Sequence, residues 1–153
     1  MRFMIIVKAT QATEAATTPE DGMKAEEADS LIKAMADYHE LLVTAGILLD
    51  GNGLHPTSRG ARICYSGAKP TVIDGPFTET KELIAGYTII QVKSREEAFE
   101  WAKRFPNPSA DDGEIEVRQM FELDDFPQSE AVEAKWTSAR GGSTPDRLAR
   151  LRR

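Results

Sequence analysis

The chain has 153 residues, 41% of them hydrophobic, with 19 Lys and Arg against 25 Asp and Glu for a net charge of −6. That is the length of one domain able to bury a core without disulfide or metal staples. The acidic balance argues against a nucleic-acid-binding body, no apolar run approaches the roughly 20 residues of a membrane span, and a single cysteine, Cys64, excludes an intrachain disulfide and any multi-cysteine metal site.

The N-terminal run MRFMIIVKA enters a strand directly and lacks the longer apolar core and cleavage site of a secretory signal, so a soluble cytoplasmic protein is expected. Phe3, Ile5 and Val7 alternate with Met4 and Ile6, both sets apolar, as in a strand buried on two faces. Residues 10–18 are small and polar and read as a loop. Thr18, Pro19, Glu20 and Asp21 carry helix-start chemistry, which Gly22 delays in the competing reading.

The first long helix presents Ala28, Leu31, Ile32, Met35, His39 and Leu42 as one stripe, and Gly46 is placed to end it. Residues 47–54 read as a strand bent at Gly51 and Gly53. Strands over 59–66 and 70–74, joined by a turn at 66–69, form a hairpin; residues 86–92 form another buried strand. Ser94 followed by Glu97 predicts a capping box opening a second helix to about Arg104, with Pro106 and Pro108 stopping it. A last strand covers 114–121. The order predicts an α+β fold, a ferredoxin-like sheet with two helices on one face.

The tail differs in composition. Between 135 and 153 six basic residues face one acid, giving +5 and leaving −11 on the rest of the chain. The 123–153 segment reads as a basic, partly flexible extension; the sharper readings are an arm docking on the acidic surface of its own dimer, with Trp136 as the packing residue, or a nucleic-acid contact. Two helices cover one sheet face only, so the two-sided apolar pattern, Phe3, Ile5 and Val7 against Met4 and Ile6 and, over 86–92, Tyr87 and Ile89 against Thr88, Ile90 and Val92, predicts a homodimer through the face opposite the helices; the alternative is cover by the tail or a long loop.

The most distinctive stretch is Asp74-Gly75-Pro76-Phe77-Thr78-Glu79-Thr80-Lys81-Glu82, an acid, a strand breaker, an aromatic and further charges between two strands. Physics alone reads it as a tight turn anchored by Phe77, or as a functional loop. It resembles the signature of the DGPF proteins, a branch of the YCII-related superfamily. The MRFMIIVK start, the Leu41–Gly46 helix end, the Gly51–Leu54 segment, Gly86-Tyr87, Glu97-Ala98 and Glu116-Val117-Arg118 agree, so the resemblance covers about residues 1–122. It implies a dimeric α+β barrel and a cleft lined by a His and an Asp, with no settled reaction. It also suggests an accessory or regulatory protein linked to sigma-factor control of transcription as the rival to a small-molecule-binding dimer doing cofactor-free acid/base chemistry.

His39 on the helix stripe and Asp74 at a strand end are the candidate catalytic pair. Asp74 would fix the tautomer of His39 and raise its pKa above the ordinary value of about 6.5; the alternative is a core histidine with one satisfied hydrogen bond. Tyr38, Phe77 and Lys81 are the candidate substrate contacts, Lys81 for a substrate carboxylate, against a solvated charge run over Glu79–Glu82. His55, before Pro56, reads as a loop residue, and Cys64 as a small buried apolar side chain. Two histidines without paired spacing predict no metal site, and no glycine-rich phosphate loop is present, so no cofactor is expected.

Overall fold

A computed structural model of the protein describes residues 1–15, 24–67, 69–78, 82–108, 112–126 and 134–135. In chain order the elements are β1 (Arg2–Lys8), α1 (Gln11–Ala15), α2 (Ala25–Thr44), β2 (Leu48–Gly53), β3 (Ala61–Ser66), β4 (Lys69–Asp74), β5 (Ile84–Gln91), α3 (Arg95–Ala102) and β6 (Ile115–Gln119). β2, β5, β1 and β6 form one antiparallel sheet in that order. With α2 after β1 and α3 after β5, this is the ferredoxin-like split βαβ arrangement. The two strands with apolar residues on both sides, β1 and β5, occupy the centre, where neither is left with an unpaired edge.

Between sheet and helices lies the core: Phe3, Ile5, Ile90 and Val92 from the sheet side pack with Tyr38 and Leu42 of α2 and Ala98 and Ala102 of α3. The register places Phe3 opposite Ile90 and Ile5 opposite Thr88, so these side chains share the helix-facing side. The other side, away from the helices, carries Met4, Tyr87 and Ile89, half exposed, and Ile6, buried at 9% exposure.

Local signals explain the boundaries. Gly46 ends α2 at φ 71°, a conformation glycine adopts without strain, and its N–H bonds the Val43 carbonyl at 2.9 Å. Ser94 Oγ accepts from the Glu97 N–H at 3.2 Å, while the Glu97 carboxylate accepts from the Lys93 N–H at 2.8 Å. The loop expected over 10–18 instead begins a helical turn, α1. Thr10 and Thr13 cap each other's backbone: Thr10 N–H donates to Thr13 Oγ1 at 2.7 Å and Thr13 N–H to Thr10 Oγ1 at 3.2 Å. The helix-start signal at 18–21 lies outside the described residues, as does Trp136; α2 begins at Ala25.

Two packing expectations are corrected. Ile32 is 65% exposed, whereas Tyr38 is 3% exposed. At about 100° per residue, Ala28, Leu31, Met35, Tyr38 and Leu42 span one arc, and Ile32 and His39 fall at its far edge. Cys64 is exposed rather than buried. It sits in β3, which pairs only with β4, and this hairpin stands apart from the main sheet with the described residues of both strands exposed. Among the described residues no helix is long and apolar enough to cross a membrane.

Candidate functional site

The Asp74–Phe77 loop is held by a short chain of hydrogen bonds that starts in α1. The Glu14 carboxylate accepts from both the Thr57 N–H at 3.1 Å and the Thr57 hydroxyl at 2.6 Å. Thr57 Oγ1 in turn accepts from the Phe77 N–H at 3.1 Å. Thr57 opens a single 3₁₀ turn through Arg59, and Gly75 N–H bonds the Gly60 carbonyl at 2.9 Å. The approach is so close that a Cβ on Gly75 would overlap the Thr57 carbonyl oxygen. The loop thus requires glycine for space rather than for a positive φ.

Between this turn, the loop and the start of β5 opens a cavity of about 410 Å³. Leu54, Pro56, Leu83 and Ile84 give it apolar walls, and Phe77 closes one side. Among the described residues Arg59, Arg62 and Glu82 are its charged lining, with His55 beside them. The Arg62 guanidinium lies 4.0 Å from the centre of the Phe77 ring, a cation–π stack. Arg59 donates to His55 Nδ1 at 3.4 Å, a long contact that favours the Nε2–H tautomer of His55.

The expected pair is not brought together. His39 Nε2 lies 3.0 Å from Thr88 Oγ1, and among the described residues no hydrogen bond or ion pair joins His39 to Asp74. Asp74 ends β4 opposite Ala61, exposed, in the separate hairpin. The raised imidazole pKa expected from a carboxylate is replaced by the opposite direction: burial holds His39 below its ordinary value, since the charged ring is less well solvated there. Tyr38, expected at the cleft, is instead in the core. Its hydroxyl donates to the Trp101 carbonyl at 3.0 Å and its ring meets Phe105 edge-on at 5.1 Å. Burial pushes its phenol up to about 12. Phe77 lines the cavity, and Lys81 lies outside the described residues.

Sequence reasoning missed Glu14, Thr57, Arg59 and Arg62. The available signal was two arginines three residues apart across Gly60, immediately before a strand; they read as ordinary strand charges because nothing local announces a cavity. Among the described residues no group of three or more His, Cys, Asp or Glu is arranged to hold a metal ion.

The comparisons fit this architecture. An uncharacterised protein of Rhizobium meliloti (strain 1021) is 33% identical over 95 residues, 62% of this chain and 77% of that protein. Residues 1–124 match the YCII-related domain, which covers the four-stranded sheet, α1, α2 and α3, the Asp74–Phe77 loop and the cavity, and the chain belongs to that family.

Proposed function

We propose that the protein is a cytoplasmic homodimer that binds a small molecule in the cavity at the Asp74–Phe77 loop. The observation that carries this reading is the cavity itself: about 410 Å³, within the roughly 300–1,000 Å³ of small-molecule sites, apolar-walled with a few convergent polar groups. Its mouth is set by the Glu14–Thr57–Phe77 hydrogen bonds, so its shape is largely preformed. An exposed free thiol at Cys64 fits a reducing compartment. The half-exposed sheet face of Met4, Tyr87 and Ile89 has Glu116 and Arg118 at its rim, charges of both signs that a two-fold axis can match to each other.

His39 enters this reading as a structural residue whose ring is held by Thr88, because a general base needs a reacting proton within reach and the cavity lies at other residues.

Ligand-observed NMR of a fragment library against the full chain tests the proposal. Hits are expected, and Ile84→Trp, which fills the cavity from its wall, should abolish them. Fragments that bind the variant unchanged, or a library with no hits, would sink it.

A further inference from the structure

We infer that the β3–β4 hairpin is an arm that docks on helix α2 of a second copy of this chain. This rests on the homodimer reading above and adds a second contact to its sheet-face interface. The hairpin pairs with no strand of the main sheet, and its described residues are exposed. The ladder sets Ile63 opposite Val72 and Tyr65 opposite Pro70, so these four share one face. Ile63 and Val72 are more than half exposed, and Tyr65 is 82% exposed. Two strands alone are marginally stable in water and need further strands or a helix to pack on.

Charge selects the occupant. Residues 59–74 carry Arg59, Arg62 and Lys69 against Asp74, a basic stretch within a body whose first 134 residues sum to −11. The tail, +5 over 135–153, has the same sign as the arm and is repelled by it. Helix α2 has the opposite sign, with Glu26, Glu27, Asp29, Asp37 and Glu40 against Lys33. Its outer side also lacks cover. At 100° per residue, Ile32, Ala36 and Val43 fall within about 40° of one another around the axis. All three are exposed, Ile32 and Val43 by more than half. Asp29 and Glu40 run along one side of this stripe without an ion pair among the described residues, and Lys33, the cation of that side, is taken by Asp37. Lys69, beside the turn at the tip of the arm, supplies the countercharge. A two-fold axis repeats the contact, each arm on the other copy's α2, and closes the pair.

Cys64, the chain's single cysteine, lies on the arm, exposed and on the face opposite Ile63 and Tyr65. A photo-cross-linking maleimide attached there leaves the docking face free. In a mixture of natural-isotope and heavy-isotope chains, links between chains onto peptides of residues 25–44 are expected. If no inter-chain link reaches 25–44, the arm inference falls; links onto 127–153 instead make the tail the occupant and overturn it as well. Sedimentation equilibrium gives an independent reading. Tyr65→Ser and Ile32→Ser, both at exposed positions where the fold tolerates change, should each raise the dimer dissociation constant about tenfold. The double variant should fall well short of the roughly hundredfold that independent sites would give. Fully additive losses overturn the pairing of arm with helix. A native dimer whose constant neither variant moves overturns the arm and leaves the homodimer reading standing, whereas a native monomer removes both.

Discussion

His39 Nε2 sits 3.0 Å from Thr88 Oγ1, a hydroxyl with no solvent exposure on the central strand β5. The ring can reach it because β2 offers glycine at position 51: a Cβ there would lie 3.1 Å from His39 Nε2 and 3.4 Å from Thr88 Oγ1. Burial lowers the His39 pKa, so the folded state favours the neutral ring. The resulting stability is fully present above the ordinary pKa of about 6.5 and is lost as pH falls through the lower folded value. We expect NMR titration to place His39 below the ordinary value, and Asp74→Asn to leave that titration unmoved. A clear drop on Asp74→Asn would restore the acid–base pair. Replacing His39 by Gln should flatten the acid limb of the stability curve.

Gly75→Ala tests the loop. A methyl at this position runs into the Thr57 carbonyl, which is backbone and already bonded to the Gly60 N–H, so neither side can yield cheaply. Overpacking of this kind costs roughly 1–3 kcal/mol. We expect a lower melting temperature together with loss of the Phe77 N–H bond to Thr57, seen as faster amide exchange at Phe77. Unchanged exchange would show that the loop tolerates a Cβ.

The sheet was legible because its evidence is local. Two-sided apolar alternation placed β1 and β5 centrally, and Gly46, Ser94 and Glu97 act through their immediate neighbours. The site was not, because it is assembled from distant parts. Glu14 bonds Thr57 across 43 residues, and Phe77 reaches Thr57 across 20. No pattern in the chain announces that three loops will enclose a cavity. Tyr38 was missed as a core residue for a subtler reason. The 3.6-residue period finds the buried arc of α2, but it does not say which flank carries the arc's centre, and the choice between Tyr38 and His39 turns on about one residue of rotation.

Tyr38 ties α2 to α3 through its hydrogen bond to the Trp101 carbonyl. Tyr38→Phe keeps the ring against Phe105 and removes the hydroxyl, leaving that carbonyl with the Arg104 N–H at 3.1 Å and one hydrogen bond fewer. We expect a loss of about 1 kcal/mol, read from denaturant midpoints at constant slope. The buried phenol titrates at about 12. Its folded value is raised above the ordinary one of about 10, so its contribution is fully present below pH ~10 and disappears as pH rises through the folded value. Ultraviolet titration of the folded protein should show a late-ionising phenol that Tyr38→Phe removes.

The open side of the sheet gives the sharpest test of assembly. Met4 and Ile89 stand opposite each other in the β1–β5 ladder, half exposed, with Arg118 beside Met4 on β6. In a two-fold dimer through this face the two copies of Ile89 come under the same apolar interface, shut off from water. Ile89→Glu then buries two carboxylates without partners, each costing several kcal/mol, while in a monomer the same side chain stays half in water and the fold tolerates it. Light scattering should give twice 16.9 kDa for the native chain and a mass near 16.9 kDa for Ile89→Glu, with circular dichroism unchanged. Arg118→Ala, which touches only the rim, should shift the association constant by less than about tenfold. A native mass near 16.9 kDa at micromolar concentration removes the dimer, and a variant that stays dimeric moves the interface to another surface.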